Sequence, residues 1–351
     1  MPCRVPKRRF SCGAPQHLTK NLFFCFFMGN YLWLTLFFNS SIMELVLSCS
    51  YAILYVEGVP MKLKFTKMQG CGNDYLYVNC MDRMIPEPGK ISAYVSPRHL
   101  SVGSDGLICI CPSDKADFRM RMFNADASEG MMCGNGSRCI AKYVYDKGLT
   151  RKNPITLETL SGIKTIAMDV ADGQVVSATV DMGVPITDPP SIPMKWEKST
   201  CLDEAITVTV DGESLTLRGT GVSMGNPHFV TFVEAVATAP VEKVGRIIEH
   251  SSYFPERVNV EFVEIVDDNH VKFRVWERGS GETLACGTGA CAVAYTAITL
   301  GKAGRRDKFL TVEAVGGPLQ LNYRSDGHMM MKGPAVTVYE GEMEIPDDIL
   351  E

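Results

Sequence analysis

No stretch of this sequence concentrates positive charge. Its 35 lysines and arginines face 40 aspartates and glutamates, a formal net charge of −5. That balance excludes nucleic acid as a partner, because phosphate binding needs clustered Lys and Arg. Zinc-finger spacing is also missing. No Cys-x-x-Cys pair recurs and no tetrahedral ligand set is legible, so no metal is expected. The 13 cysteines are odd in number and scattered through 351 residues. They do not form the dense, even framework of a small secreted domain, and a reducing cytoplasm suits them better. Cys109 and Cys111 lie in an apolar run that reads as a buried strand.

What is present is enough apolar residue to bury a core, 46% against 21% charged, over a length that suits two domains. The first sixty residues differ from the rest. A basic start (Arg4, Lys7, Arg8, Arg9, Lys20) precedes Asn21 to Val56, whose one charge is Glu44. That stretch is long enough to span a bilayer, yet Asn30 and Asn39-Ser40-Ser41 interrupt it and no clean cleavage site follows. It reads as a membrane anchor, a targeting segment, or sequence upstream of a true start at Met61. The last is preferred, because Lys62 to Met68 alternates like a strand and runs into the first motif. Contact with a membrane is expected only if residues 1–60 are genuine.

A repeat organises the remainder. Phe123 to Glu129 leads to Cys133-Gly134-Asn135-Gly136, and Trp276 to Glu282 leads to Cys286-Gly287-Thr288-Gly289. The offset is 286 − 133 = 153, and it holds for Glu129 and Glu282 (282 − 129 = 153). It also carries Asn73 to Asn226 (226 − 73 = 153) and Gly106 to Asn259 (259 − 106 = 153). A constant offset across separate motifs implies two similar lobes, each giving half of a site between them. Short alternating segments, among them 164–170, 175–182, 259–266 and 271–276, read as strands. Residues 136–147 and 289–300 read as helices stopped by Gly148 and Gly301. The fold expected is α+β: two pseudo-symmetric lobes, each a curved, mainly antiparallel sheet wrapped around a central helix. The division expected is 61–181 with 331–351 for the lobe carrying Cys133, and 182–330 for the lobe carrying Cys286.

Each cysteine stands just before a Gly-x-Gly turn and a helix. A helix start carries unpaired N–H groups and positive potential, which should favour a thiolate and hold a carboxylate. One such cysteine alone would read as a small buried residue. Two at matched positions read as an acid–base pair that grips one α-carbon from both faces. A thiolate removes the α-proton on one side and a thiol returns a proton on the other, inverting the centre. Neither Cys-Gly-x-Gly motif contains a lysine to form a Schiff base. Cys139 and Cys291, deeper in the helices, read as core.

These motifs resemble the diaminopimelate epimerase family. The resemblance rests on Phe65 to Asp74, on Phe123 to Asp126 with Cys133 to Cys139, and on Ser223 to His228. It continues through Pro255 to Asn259, Trp276 to Gly279 and Glu282 to Cys291, and so covers residues 61–345. It implies isomerisation of LL-diaminopimelate to the meso form without a cofactor, in lysine and peptidoglycan precursor synthesis. Cys133 and Cys286 would be the acid–base pair. Asn73, Asn124, Asn226 and Asn259 would hydrogen-bond the substrate, Glu277 and Arg278 would meet its charged ends, and Gly134, Asn135, Gly287 and Thr288 would cradle carboxylate. His228 and Glu277 would tune the cysteines. The resemblance also implies a homodimer, with Tyr339 at the contact. Gly106 departs from members that place a glutamine there as a substrate contact. Two other families remain as alternatives. A proline-racemase-type enzyme would share the chemistry but not Trp276-Glu277-Arg278-Gly279, and a phenazine-biosynthesis-like isomerase would lack the cysteine pair. A metal or redox module would need a ligand set that is not legible.

Overall fold

The computed structural model describes residues 61–351 throughout. Upstream it describes the backbone of three strands, Phe24–Met28, Tyr31–Phe38 and Ser41–Ser48, paired antiparallel. The three readings of residues 1–60 fall mostly outside the described residues. No helix among the described residues is long and apolar enough to cross a membrane. Lys62–Glu351 is one compact unit.

The strands form where apolar and polar residues alternate. The sheet can then bury one face and leave the other wet. In the first half, Met61–Gly70 pairs antiparallel with Asn73–Asn79. That strand pairs in parallel with Gly106–Cys111, which pairs antiparallel with Phe118–Asn124. The second half repeats the path. Glu213–Ser223 pairs antiparallel with Pro227–Phe232, which pairs in parallel with Asn259–Asp267, followed by antiparallel His270–Glu277. The register carries the offset: Tyr75 opposes Gly106 and His228 opposes Asn259, so 228 − 75 = 153 and 259 − 106 = 153. The halves join where Ala178 opposes Gly333, and the sheet closes on itself.

Four helices matter to the site: α1 (Pro88–Val95), α2 (Gly134–Asp146), α3 (Val241–Glu249) and α4 (Gly287–Thr299). Their starts obey the same step, 241 − 88 = 153 and 287 − 134 = 153. α2 and α4 begin two residues earlier than their patterns indicate, because each cysteine itself is the N-cap. Both stop at the glycines foreseen, Gly148 and Gly301, each with positive φ. α2 and α4 run through the middle of their half-sheets. Cys139, Ile140, Val144, Cys291, Val293 and Ala297 are fully buried in one core that spans both halves. Each large aliphatic side chain so placed contributes roughly 1.5–3 kcal/mol. α1 and α3 lack a forecast because α1 spans eight residues and α3 nine, too few turns for the periodic signal to stand out.

Candidate active site

Cys133 has extended backbone (φ −129°, ψ 117°) and caps α2 with its sulfur, which accepts the Gly136 N–H at 3.2 Å. Its thiol points to Asn73 Oδ1, also at 3.2 Å. The Asn73 amide is held from behind, since Nδ2 donates to Asp105 Oδ2 at 2.9 Å. Asp105 accepts the Asp74 N–H at 3.0 Å through the same oxygen. Arg98 ties Asp105 and Asp74 together at 2.9 and 2.6 Å. A donor engaged by a carboxylate leaves the amide oxygen as the group facing the thiol. Asn124 donates to the Ser128 hydroxyl at 3.0 Å on the neighbouring loop.

Cys286 repeats the geometry on α4 (φ −121°, ψ 111°), with Thr288 Oγ1 3.5 Å from its sulfur. The Glu277 carboxylate is within hydrogen-bonding reach of this thiol and accepts the Thr283 hydroxyl. Behind the loop, His228 and Glu261 are both fully buried, with Nδ1 2.6 Å from Glu261 Oε1. The other ring nitrogen of His228 is 3.0 Å from Asn226 Oδ1, so both partners fix the ring. The Asn259 amide is engaged at both ends. It donates to Pro227 O at 2.8 Å and accepts the Arg278 N–H at 2.9 Å. Arg278 is exposed, and its guanidinium donates to Glu256 O at 3.1 Å.

The two loops meet. Met331 lies against both Gly134 and Gly287, and Asn135 Oδ1 is 3.6 Å from where a Cβ on Gly287 would stand. Asn135 is buried, and that oxygen has no hydrogen-bond partner among the described residues. Such an orphaned acceptor is costly unless a ligand donor completes it. Among the residues named from the sequence, those on the two cysteine loops converge. Tyr339 stands apart on the strand Val336–Ile345, 43% exposed and edge-on to Phe65 at 6.0 Å. A side chain at position 106 would meet Phe123 O at 2.1 Å, so a glutamine contact has no room there.

One expectation needs correction. The helix starts do not leave the two thiols with low pKa values. Burial pushes Cys133 up to about 11, against the lowering pull of the Gly136 N–H. Burial also raises Cys286 well above the ordinary range, and the Glu277 and Glu261 carboxylates add to it. Desolvation outweighs the helix potential because an anion loses more in leaving water than a few N–H groups return. The sign for stability follows. A thiol whose folded pKa exceeds its unfolded value stabilises the fold below the unfolded pKa, and that contribution is lost as pH rises through the folded one. Thermal melts should therefore fall from about pH 9 to 11, and Cys133→Ser should flatten part of that decline. An unchanged slope in the variant would count against a half-buried, neutral Cys133.

Several contributors escape sequence reasoning. Glu261 is one acid in the apolar run Val258–Val263, which is a signal of a buried partner. Asp105 carries no signal in the sequence, and the Asn73 contact reveals its part. Tyr75 is buried, and burial with the nearby Cys133 pushes its hydroxyl well above the ordinary range.

The comparisons with known proteins agree with one another. The family profile described as diaminopimelate epimerase matches residues 65–187 and 220–338. A diaminopimelate epimerase of Methanococcus maripaludis is 51% identical over 284 residues, 81% of this chain and 100% of that protein. One from Acetivibrio thermocellus is 49% identical, over 81% of this chain and 99% of the relative. Among solved structures, a probable proline racemase from Agrobacterium radiobacter superposes with a TM-score of 0.62 at 13% identity. It covers 81% of this chain and 93% of its own. A Bacillus anthracis phenazine biosynthesis protein of the PhzF family superposes with a TM-score of 0.58 at 18% identity, over 81% and 100%. These two share the fold alone. The sequence matches, over both cysteine loops and the strands that carry them, place the chain in the diaminopimelate epimerase family.

Proposed function

We propose that this epimerase converts LL-2,6-diaminopimelate to the meso isomer by two-base proton transfer between Cys133 and Cys286. The observation that carries it is the pair of cysteines capping α2 and α4 at matched positions, with their loops in contact. A thiolate on one loop takes the α-proton. The electron pair left on the α-carbon delocalises into the α-carboxylate, and the opposite thiol delivers its proton to the other face. The two sulfurs finish with their protonation exchanged. The N–H groups at the two helix starts, around Gly134, Asn135, Gly287 and Thr288, face the carboxylate as its charge grows. Asn135 Oδ1, unpartnered, suits the α-ammonium as donor. Asn73 orients the Cys133 thiol. Asn226 and Asn259 set the His228 and Arg278 loops, while Asn124, Glu277 and Arg278 are placed to meet the polar ends of the substrate. No step uses a cofactor.

The same reading includes a cytoplasmic enzyme of lysine and peptidoglycan precursor synthesis, and all nine described cysteines are free. It includes a homodimer through the exposed strand of Tyr339, Val336 and Val338. It also includes lobes divided at 181/182 and 330/331, beside the pairing of residues 174–181 with 329–333. The test is conversion of LL-diaminopimelate in deuterium oxide by the full chain. Meso product carrying one deuterium at the inverted carbon is expected. Inversion with complete retention of the original hydrogen, or no inversion, would sink the two-base reading.

A further inference from the structure

Arg138 is the largest of the fully buried side chains, at 0% exposure, and it has no carboxylate partner among the described residues. Its Nε donates to Pro334 O at 3.1 Å. Its other contacts are soft: Nη1 to Met331 Sδ at 3.7 Å and Nη2 to Cys71 Sγ at 3.9 Å. Gly70 and Gly333 lie against the guanidinium, where a Cβ would come within 2.9 and 3.1 Å of it. Arginine cannot shed its proton to escape such a place, and an uncompensated buried cation is strongly unfavourable. A fold that keeps one needs an anion elsewhere to answer it.

The anion's place is one side chain away. Met331, which the guanidinium touches, is the residue that lies against Gly134 and Gly287 of both cysteine loops. Arg138 lies on α2 five residues beyond Cys133, and its positive charge favours the thiolate there. We propose that Arg138 is a positioning residue whose buried charge supplies the positive potential behind the Cys133 loop, stabilising the thiolate and the developing carbanion without touching substrate. This rests on the epimerase reading above. Low dielectric between the groups lets the field act across the Met331 side chain.

The other titratable and charged groups that face the thiols are Tyr75 and Cys139 at Cys133, and Glu277, Glu261 and His228 at Cys286. None of those at Cys133 is a cation, so Arg138 is the source to remove. The experiment compares the full chain with Arg138→Met and Arg138→Lys. Iodoacetamide alkylation of Cys133 and Cys286 is followed separately by mass spectrometry across about pH 7 to 11, beside kcat and KM. Arg138→Met should move the Cys133 midpoint up by about one unit and lower kcat about tenfold with KM little changed. Arg138→Lys should keep the wild-type midpoint, whatever it costs in melting temperature. A folded Arg138→Met with the wild-type midpoint and kcat would overturn the proposal. So would an Arg138→Lys midpoint displaced as far as that of Arg138→Met. If Arg138→Met does not fold, Arg138→Gln carries the same expectation. If neither neutral variant folds while Arg138→Lys does, the residue is structural and the proposal falls. Alkylation needs no substrate, so a wild-type chain inactive on diaminopimelate would defeat the epimerase reading separately.

Discussion

Cys133→Ser and Cys286→Ser should each lower kcat for epimerisation by about 10³-fold, with KM nearly constant and melting temperature close to wild type. Serine keeps the shape of cysteine but is far harder to ionise, so the variant loses its proton carrier and little else. Sulfur's two hydrogen bonds at Cys133, from the Gly136 N–H and to Asn73 Oδ1, pass to oxygen. The decisive readout is exchange against inversion. An enzyme with one working thiol can remove an α-proton and return a solvent proton to the same face, so isotope should enter the substrate without meso product. The double variant should be no slower at inversion than either single one, because the pair acts as a unit. Near-normal turnover in either single variant, or an additive double variant, would end the two-base mechanism.

The fold and the halves of the site were readable because the chain repeats. A step of 153 fixes helix starts, strand registers and cysteine positions together, and no single motif could do that. Strand spans such as Asn259–Asp267 and His270–Glu277 follow from alternation within a residue or so. What could not be read is depth. The sequence places both thiols at helix starts, a setting that favours thiolate. The structure buries Cys286 and half-buries Cys133, and desolvation reverses the direction. Both loops pack against Met331, which comes 45 residues after Cys286 and 198 after Cys133 (331 − 286 = 45; 331 − 133 = 198), a distance no local pattern spans. Glu261 and Arg138 were missed for the same reason. Each sits in an unremarkable strand or helix, and only packing shows that one shares His228 and the other lacks a counter-ion.

Glu277→Gln should lower kcat about 10²-fold and move the alkylation midpoint of Cys286 down by about one pH unit. The sign comes from charge. Burial and then the Glu277 and Glu261 carboxylates raise this thiol, because a thiolate beside a carboxylate is repelled. A neutral glutamine removes one of the two repulsions, so the thiolate forms at lower pH. That gain does not help the reaction. The loss of kcat comes instead from the contacts that the carboxylate makes. Glutamine also changes the partner of the Thr283 hydroxyl and the acceptor that aims the Cys286 proton. The split between kcat and KM tells tuning from substrate contact. If Glu277 mainly meets the substrate ammonium, KM should rise while the midpoint stays put. If it mainly sets the thiol, kcat and the midpoint should move together. A Glu277→Gln enzyme with unchanged kcat, KM and midpoint would remove the residue from the site. It would leave Glu261, held on His228 at 2.6 Å, as the carboxylate that keeps Cys286 protonated.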